Sequence, residues 1–186
     1  MEIIEPWRTR LVRINLKEHI HDFDGLVSEI VAQNDLKRDG ETEQEICDAE
    51  RTPLLHSLRE LLITPAVKRY VKEFYDYEID DDRLSSTSWV VYGRHNEGVT
   101  FHSHAGSQIS TVLYLVANPG DLIMVDPRGH ACRGYPPEIR ENHFNNHRII
   151  PCDGDLWIFP SYVQHYVEPG REDELRVSLP TDYFFD

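Results

Sequence analysis

The pattern of apolar and polar positions changes near residue 80. Before that point apolar residues recur at intervals of three and four; after it they fall in short runs broken by turn residues. Leu11-Val12-Arg13-Ile14-Asn15-Leu16 partly alternates and predicts an edge strand. Phe23, Leu26, Val27, Ile30 and Val31 then repeat at helical spacing and predict an amphipathic helix. Residues 34–50 are polar and acidic, with Asp39-Gly40 as a turn signal, and predict a solvated surface loop. Thr52-Pro53 and Thr64-Pro65 both have the form of a helix start. The threonine oxygen accepts from a free amide, and proline at the first helical position gives up a donor that has no partner there. Leu54, Leu55, Leu58, Leu61 and Leu62 line one helix and Val67, Tyr70, Val71 and Phe74 the other, and both stripes are expected to face the core.

Asp80-Asp81-Asp82 marks the break. Strands are expected at residues 86–93, 99–104, 109–116, 122–125, 148–151, 156–159, 164–167 and 175–179. Asn118-Pro119-Gly120, Asp126-Pro127-Arg128-Gly129 and Asp153-Gly154 separate them. The stretch 129–147, rich in proline, asparagine and histidine, is expected to be a loop over one mouth of a barrel. Short strands after a helical start predict an all-β core with N-terminal helices, an antiparallel jelly roll carrying helices on one face. Its 186 residues suit a single domain over 1–186, with a helical layer at 1–85 and the jelly-roll core at 86–186.

Composition narrows the class of partner. A net charge of −14 repels a phosphate backbone, so nucleic acid is not an expected partner. The acidic surface reads as a solubility feature, with attraction of a cationic small substrate as the alternative. No apolar run approaches the roughly 20 residues of a membrane span. Met1-Glu2-Ile3-Ile4-Glu5-Pro6 lacks the pattern of a signal peptide. Cys47, Cys132 and Cys152 form neither a disulfide framework nor a CxxC pair, so reduced thiols and a cytoplasmic location are expected.

The candidate chemistry starts at Val99-Thr100-Phe101-His102-Ser103-His104. Residues i and i+2 of a strand share a face, so His102 and His104 can hold one metal ion between them. The third ligand is expected from His165, which follows the turn at Phe159-Pro160-Ser161 and begins another strand. Imidazole suits iron, zinc, copper and nickel alike, so spacing alone leaves the metal open. Arg176-Val177-Ser178 adds a separate signal: a guanidinium fork binds a carboxylate at two points, and the serine on the same face adds a further bond.

Trp89-Val90-Val91, His102-Ser103-His104, Ser110-Thr111-Val112-Leu113-Tyr114-Leu115, Asp126-Pro127-Arg128, Gly154-Asp155-Leu156-Trp157-Ile158-Phe159-Pro160-Ser161, His165 and Arg176-Val177-Ser178 occur in that order. This ordered set resembles a family of 2-oxoglutarate- and Fe(II)-dependent oxygenases, from about Ser88 to the end of the chain, and the helix at Phe23-Asp24-Gly25-Leu26 also fits. The resemblance implies a double-stranded β-helix holding Fe(II), with His102 and His165 as ligands. It also implies that Arg176, helped by Ser178 and Tyr114, binds the distal carboxylate of 2-oxoglutarate as cosubstrate. The implied reaction with O2 decarboxylates 2-oxoglutarate to succinate and CO2 and hydroxylates a small molecule or an amino-acid side chain.

The chain departs from that family in several places. The usual carboxylate two residues after the first histidine is His104, the usual asparagine of the Trp89 strand is Val91, and the usual glycine after Ser110 is Thr111. Three histidines as ligands is one outcome. The other takes His104 as the first ligand and leaves Gly106 at a vacant ligand position, as in the related halogenases. Gly154, Pro160, Ser161 and His165 also resemble the second motif of cupins, and His102, His104 and Gln108 their first. A cupin would be a metal-dependent isomerase, dioxygenase or small-ligand binder without 2-oxoglutarate, and has no need of the carboxylate fork at Arg176. A non-catalytic binding module on the same barrel would need no metal. His19, His21, His143 and His147 have ligand-like spacings but no third partner; His56, Arg94, His95, Arg128, His130 and Arg133 are expected at exposed positions or at the pocket mouth.

Overall fold

The computed structural model describes residues 8–35, 53–93, 98–117, 120–170 and 175–186. Thr52, Cys47, Arg94, His95, Asn118-Pro119 and the polar loop beyond Asp35 lie outside the described residues. The strands are β1 (Val12–Asn15), β2 (Ser85–Ser88), β3 (Val91–Gly93), β4 (Val99–His102), β5 (Ile109–Val116), β6 (Leu122–Met124), β7 (His147–Ile149), β8 (Asp155–Pro160), β9 (His165–Val167) and β10 (Arg176–Phe184). The helices are α1 (Phe23–Asp35), α2 (Pro53–Leu58), α3 (Thr64–Tyr75) and α4 (Pro137–His143). The strands form two antiparallel sheets: a major one ordered β1-β8-β5-β10-β2, with β3 also paired to β10, and a minor one ordered β4-β9-β6-β7. The expected edge strand is β1, paired to β8.

Alternation along the central strands sets the layers. Leu113, Leu156, Ile158, Leu179 and Tyr183 turn to one face and pack with Ile30, Leu55, Val67 and Tyr70 of the helices. Tyr114 and Phe159 turn to the other face and meet Leu122, Met124 and Ile149 of the minor sheet. The major sheet is therefore covered on both sides, which explains why β5 is apolar at neighbouring positions. Each fully buried aliphatic side chain of this kind contributes about 1.5–3 kcal/mol. The result is a helix layer, a major sheet and a minor sheet, the arrangement of a double-stranded β-helix open at its edges. Among the described residues no helix is long and apolar enough to cross a membrane.

Five local expectations are corrected. Thr64-Pro65 opens α3 but is not a capped, free helix start: the backbone is already helical from α2 through a π turn at Arg59–Ile63. The wider turn makes room for the Pro65 ring, which in a regular helix collides with the carbonyl four residues earlier. Leu61 is thereby rotated out of the stripe and is 73% exposed, while the buried Thr64 hydroxyl bonds the Tyr183 hydroxyl at 3.1 Å instead of capping. The expected strand at 86–93 is broken between β2 and β3, and β10 runs through Pro180 to Phe184. Both follow from one contact: the Trp89 N–H donates to the Pro180 carbonyl at 3.2 Å. That carbonyl and the proline nitrogen point to the same edge, so the absent N–H falls at the break, where no ladder partner is required.

The fourth correction concerns 129–147. It is not all loop, because α4 begins at Pro137, after Pro136. An exposed helix of seven residues carries no apolar stripe to betray it. The fifth is the end of β4. The strand stops at His102, and His104 stands in the following turn, not on the same strand face.

β1 is fastened through a buried carboxylate. Asp155 accepts from Asn15 Nδ2 and Cys152 N–H and pairs with Arg13 Nε, each at 2.9 Å.

Candidate metal centre

The register of β4 and β9 places His102 directly opposite His165, and their ring centroids lie 4.3 Å apart. His104 joins them from the turn. Its backbone N–H donates to the Ser161 carbonyl at 3.1 Å. Its ring stacks on His165 at 5.1 Å with a 6° interplanar angle, and on the Trp89 indole at 5.5 Å. One nitrogen from each imidazole lies within 4.8 Å of the others, and among the described residues this is the group of histidine, cysteine and acidic side chains suited to hold a metal.

Hydrogen bonds fix which nitrogen each ring offers. His102 Nδ1 lies 2.7 Å from the Thr100 carbonyl, His165 Nδ1 2.9 Å from the Val163 carbonyl, and His104 Nδ1 2.9 Å from Asp182 Oδ2. A carbonyl or carboxylate oxygen only accepts, so each Nδ1 carries the proton. Each neutral ring is then left with its lone pair on Nε2. Burial pushes the His165 imidazole down to about 4 and lowers His102 as well, which keeps both neutral at physiological pH. His104 Nε2 and His165 Nε2 face each other at 3.3 Å. Two lone pairs at that distance repel unless a cation lies between them. A set of neutral imidazoles suits a borderline metal such as iron, so the residues present fit the group.

The three rings border a cavity of about 220 Å³ between the two sheets, lined further by Trp89, Tyr114, Phe159, Arg176 and Ser178. Its volume is below the roughly 300 Å³ at which drug-sized pockets begin and suits a small acid. Arg176 is 3% exposed, and Gly120, at a positive φ of 148°, leaves room for it: a Cβ there would collide with the guanidinium. The Tyr114 phenol is fully buried and its ionisation is pushed upward, so it presents a hydroxyl to the cavity.

Other sequence candidates fall elsewhere. Gln108 Oε1 accepts from the Phe185 N–H at 3.1 Å, and Gly106 stands in an exposed turn at φ 105°. His143 ends α4 while His147 begins β7, so the pair shares no helix face. His19 and His21 are exposed beside α1. Arg128 is held by Asp126 and the His143 carbonyl and lies 4.4 Å over Phe144, at a separate hollow. Sequence reasoning missed Asp182 and the serines behind it. The available signal was its spacing from Arg176 on alternate positions of one strand, hidden because that strand is expected only over 175–179.

A family model, Putative 2OG-Fe(II) oxygenase, matches residues 87–182, more than half of the chain. The chain belongs to this family. Among solved structures, the non-heme alpha ketoglutarate dependent epimerase SnoN from nogalamycin biosynthesis is 15% identical. It has a TM-score of 0.65, with 96% of this chain and 78% of that one covered. A Pseudomonas putida prolyl-4-hydroxylase is 17% identical with a TM-score of 0.59, covering 95% of this chain and 92% of its own. An oxidoreductase of the 2OG-Fe(II) oxygenase family from Burkholderia pseudomallei is 15% identical with a TM-score of 0.51, over 79% of this chain. The chain spans only 62% of that protein's length. At such identities these neighbours establish the shared double-stranded β-helix. No curated protein matches the chain. The family match decides against the cupin reading, and Arg176 in the same cavity as the histidines agrees with it.

Proposed function

We propose that this oxygenase is an Fe(II)- and 2-oxoglutarate-dependent dioxygenase that hydroxylates a small molecule or an amino-acid side chain, using O2 and releasing succinate and CO2. The observation that carries the proposal is the convergence of three histidine nitrogens on a small cavity that also holds a buried arginine. His102, His104 and His165 would hold the iron. Arg176 would bind the distal carboxylate of 2-oxoglutarate with its guanidinium fork, with Ser178 donating a further bond and Tyr114 offering its hydroxyl. The bound iron and cosubstrate supply the oxidising chemistry.

The chain's own part is orientation and exclusion of water. Leu122, Phe159 and Val167 give the cavity apolar walls, which strengthen the ion pair at Arg176 by lowering the local dielectric. The epimerase SnoN has been solved in complex with Fe3+ and alpha ketoglutarate, and the same fold here carries donors suited to both. Hydroxylation as the outcome is supported by the likeness to a prolyl-4-hydroxylase over 92% of its length.

The test is anaerobic addition of Fe(II) and 2-oxoglutarate to the protein. A visible metal-to-ligand charge-transfer band is expected, followed by succinate formation on admitting air. A colourless mixture that yields no succinate overturns the proposal.

A further inference from the structure

We infer that Asp182 is the positioning carboxylate of this centre, acting on the metal through His104 and standing in for the carboxylate ligand that the chain lacks. The inference rests on the three-histidine reading above.

The three rings are oriented in two different ways. His102 and His165 sit on paired strands, and each Nδ1 donates to a carbonyl two residues earlier in its own chain segment. His104 lies outside any strand and has no such local acceptor. Its Nδ1 instead meets Asp182 Oδ2 at 2.9 Å, an anionic partner brought from β10. The other oxygen, Oδ1, accepts from Ser110 Oγ at 2.6 Å. Ser110 Oγ lies 2.8 Å from Ser161 Oγ, Ser107 Oγ donates to Ser161 Oγ at 2.8 Å, and it also lies 3.0 Å from the His104 carbonyl. The network leaves His104 by its imidazole and returns to its backbone at Ser161, whose carbonyl accepts from the His104 N–H at 3.1 Å. A residue outside the strands is thereby held at both its ring and its backbone.

The strands explain why the carboxylate is there. Register pairs Asp182 with Ser110 across β10 and β5. Asp182 shares its face of β10 with Arg176, Ser178 and Pro180, all of which border the cavity or its supports. The Asp182 side chain is 14% exposed, so its charge is little screened. A carboxylate hydrogen-bonded to a ligating imidazole fixes the ring and raises the basicity of its metal-facing nitrogen. Here it also places one negative charge a single ring away from a centre whose direct donors are all neutral.

The experiment is a double-substitution cycle read by anaerobic Co(II) titration, following the visible ligand-field bands, with no turnover involved. Asp182→Asn keeps the shape but removes the charge and turns one of the two accepting oxygens into an N–H donor. It is expected to weaken Co(II) binding about 10- to 100-fold and to shift the bands. In a His104→Asp background, where a carboxylate reaches the metal directly, the same Asp182→Asn change is expected to alter affinity by less than about twofold. Ser110→Ala, which loosens the carboxylate but leaves its charge, is expected to cost only a few-fold. An Asp182→Asn protein that binds Co(II) like wild type, an equal loss in both backgrounds, or a Ser110→Ala loss matching that of Asp182→Asn overturns the inference alone. A wild-type protein that takes up no Co(II) overturns the metal centre itself.

Discussion

At the scale of single residues, the centre is built from side chains made to prefer one protonation state. His165 is 6% exposed and its imidazole titrates near 4, against 6.5 for the unperturbed group. Between those values the unfolded chain binds a proton that the native ring refuses, so the metal-free protein gains stability as pH rises from 4 to 6.5. The integrated effect is about 3 kcal/mol, measurable as a falling denaturation midpoint below pH 6. Metal affinity follows the same direction: it should fall in acid as protons compete for Nε2. An affinity for Co(II) unchanged between neutral pH and about pH 4 would contradict a role for His165 Nε2 as a ligand. Arg176→Ala should weaken 2-oxoglutarate binding by 10²-fold or more and leave Fe(II) affinity within a few-fold. Loss of iron in that variant would place the arginine in another role.

At the scale of elements, β10 is the spine of the site. Alternate residues on one of its faces run from the arginine that would take the cosubstrate to the carboxylate that steadies His104. The chain before β6 must pass close to that arginine, which is why position 120 is glycine at positive φ. Gly120→Ala is expected to displace the guanidinium and raise the 2-oxoglutarate dissociation constant at least tenfold, with Co(II) affinity unchanged; calorimetric titration of the cobalt-loaded protein reads both. The helices show how local signals mislead. Thr64-Pro65 has every feature of a cap, yet the helix continues by widening into a π turn, and the threonine hydroxyl is spent on Tyr183. Pro180 misleads in the same way, because nothing local announces that its missing donor will fall at a gap between two strands.

At the scale of the molecule, two cores lie on opposite faces of the major sheet and serve different ends. The core beneath the helices carries stability, and the smaller one beneath the minor sheet adjoins the cavity. Ile30→Ala, at a fully buried helix position, should therefore cost about 2–4 kcal/mol in chemical denaturation while Co(II) affinity stays within twofold. A coupled loss of both would mean that the layers are not independent.

Periodicity and residue type were enough to foretell the elements of local origin. The helix at Phe23, the long strand at 109–116 and the switch from helical to strand spacing near Asp80 could all be read along the chain. The ordered motifs likewise named His102, His104, His165 and Arg176, which the fold brings to one cavity. Tertiary structure alone decided that His104 reaches the same point from a turn, that its tautomer is set by a carboxylate 78 residues away, and that β10 outlasts its proline. These depend on strand register and on the position of a gap in a neighbouring strand. Such properties arise between segments, and they become definite only when the sheets close on one another.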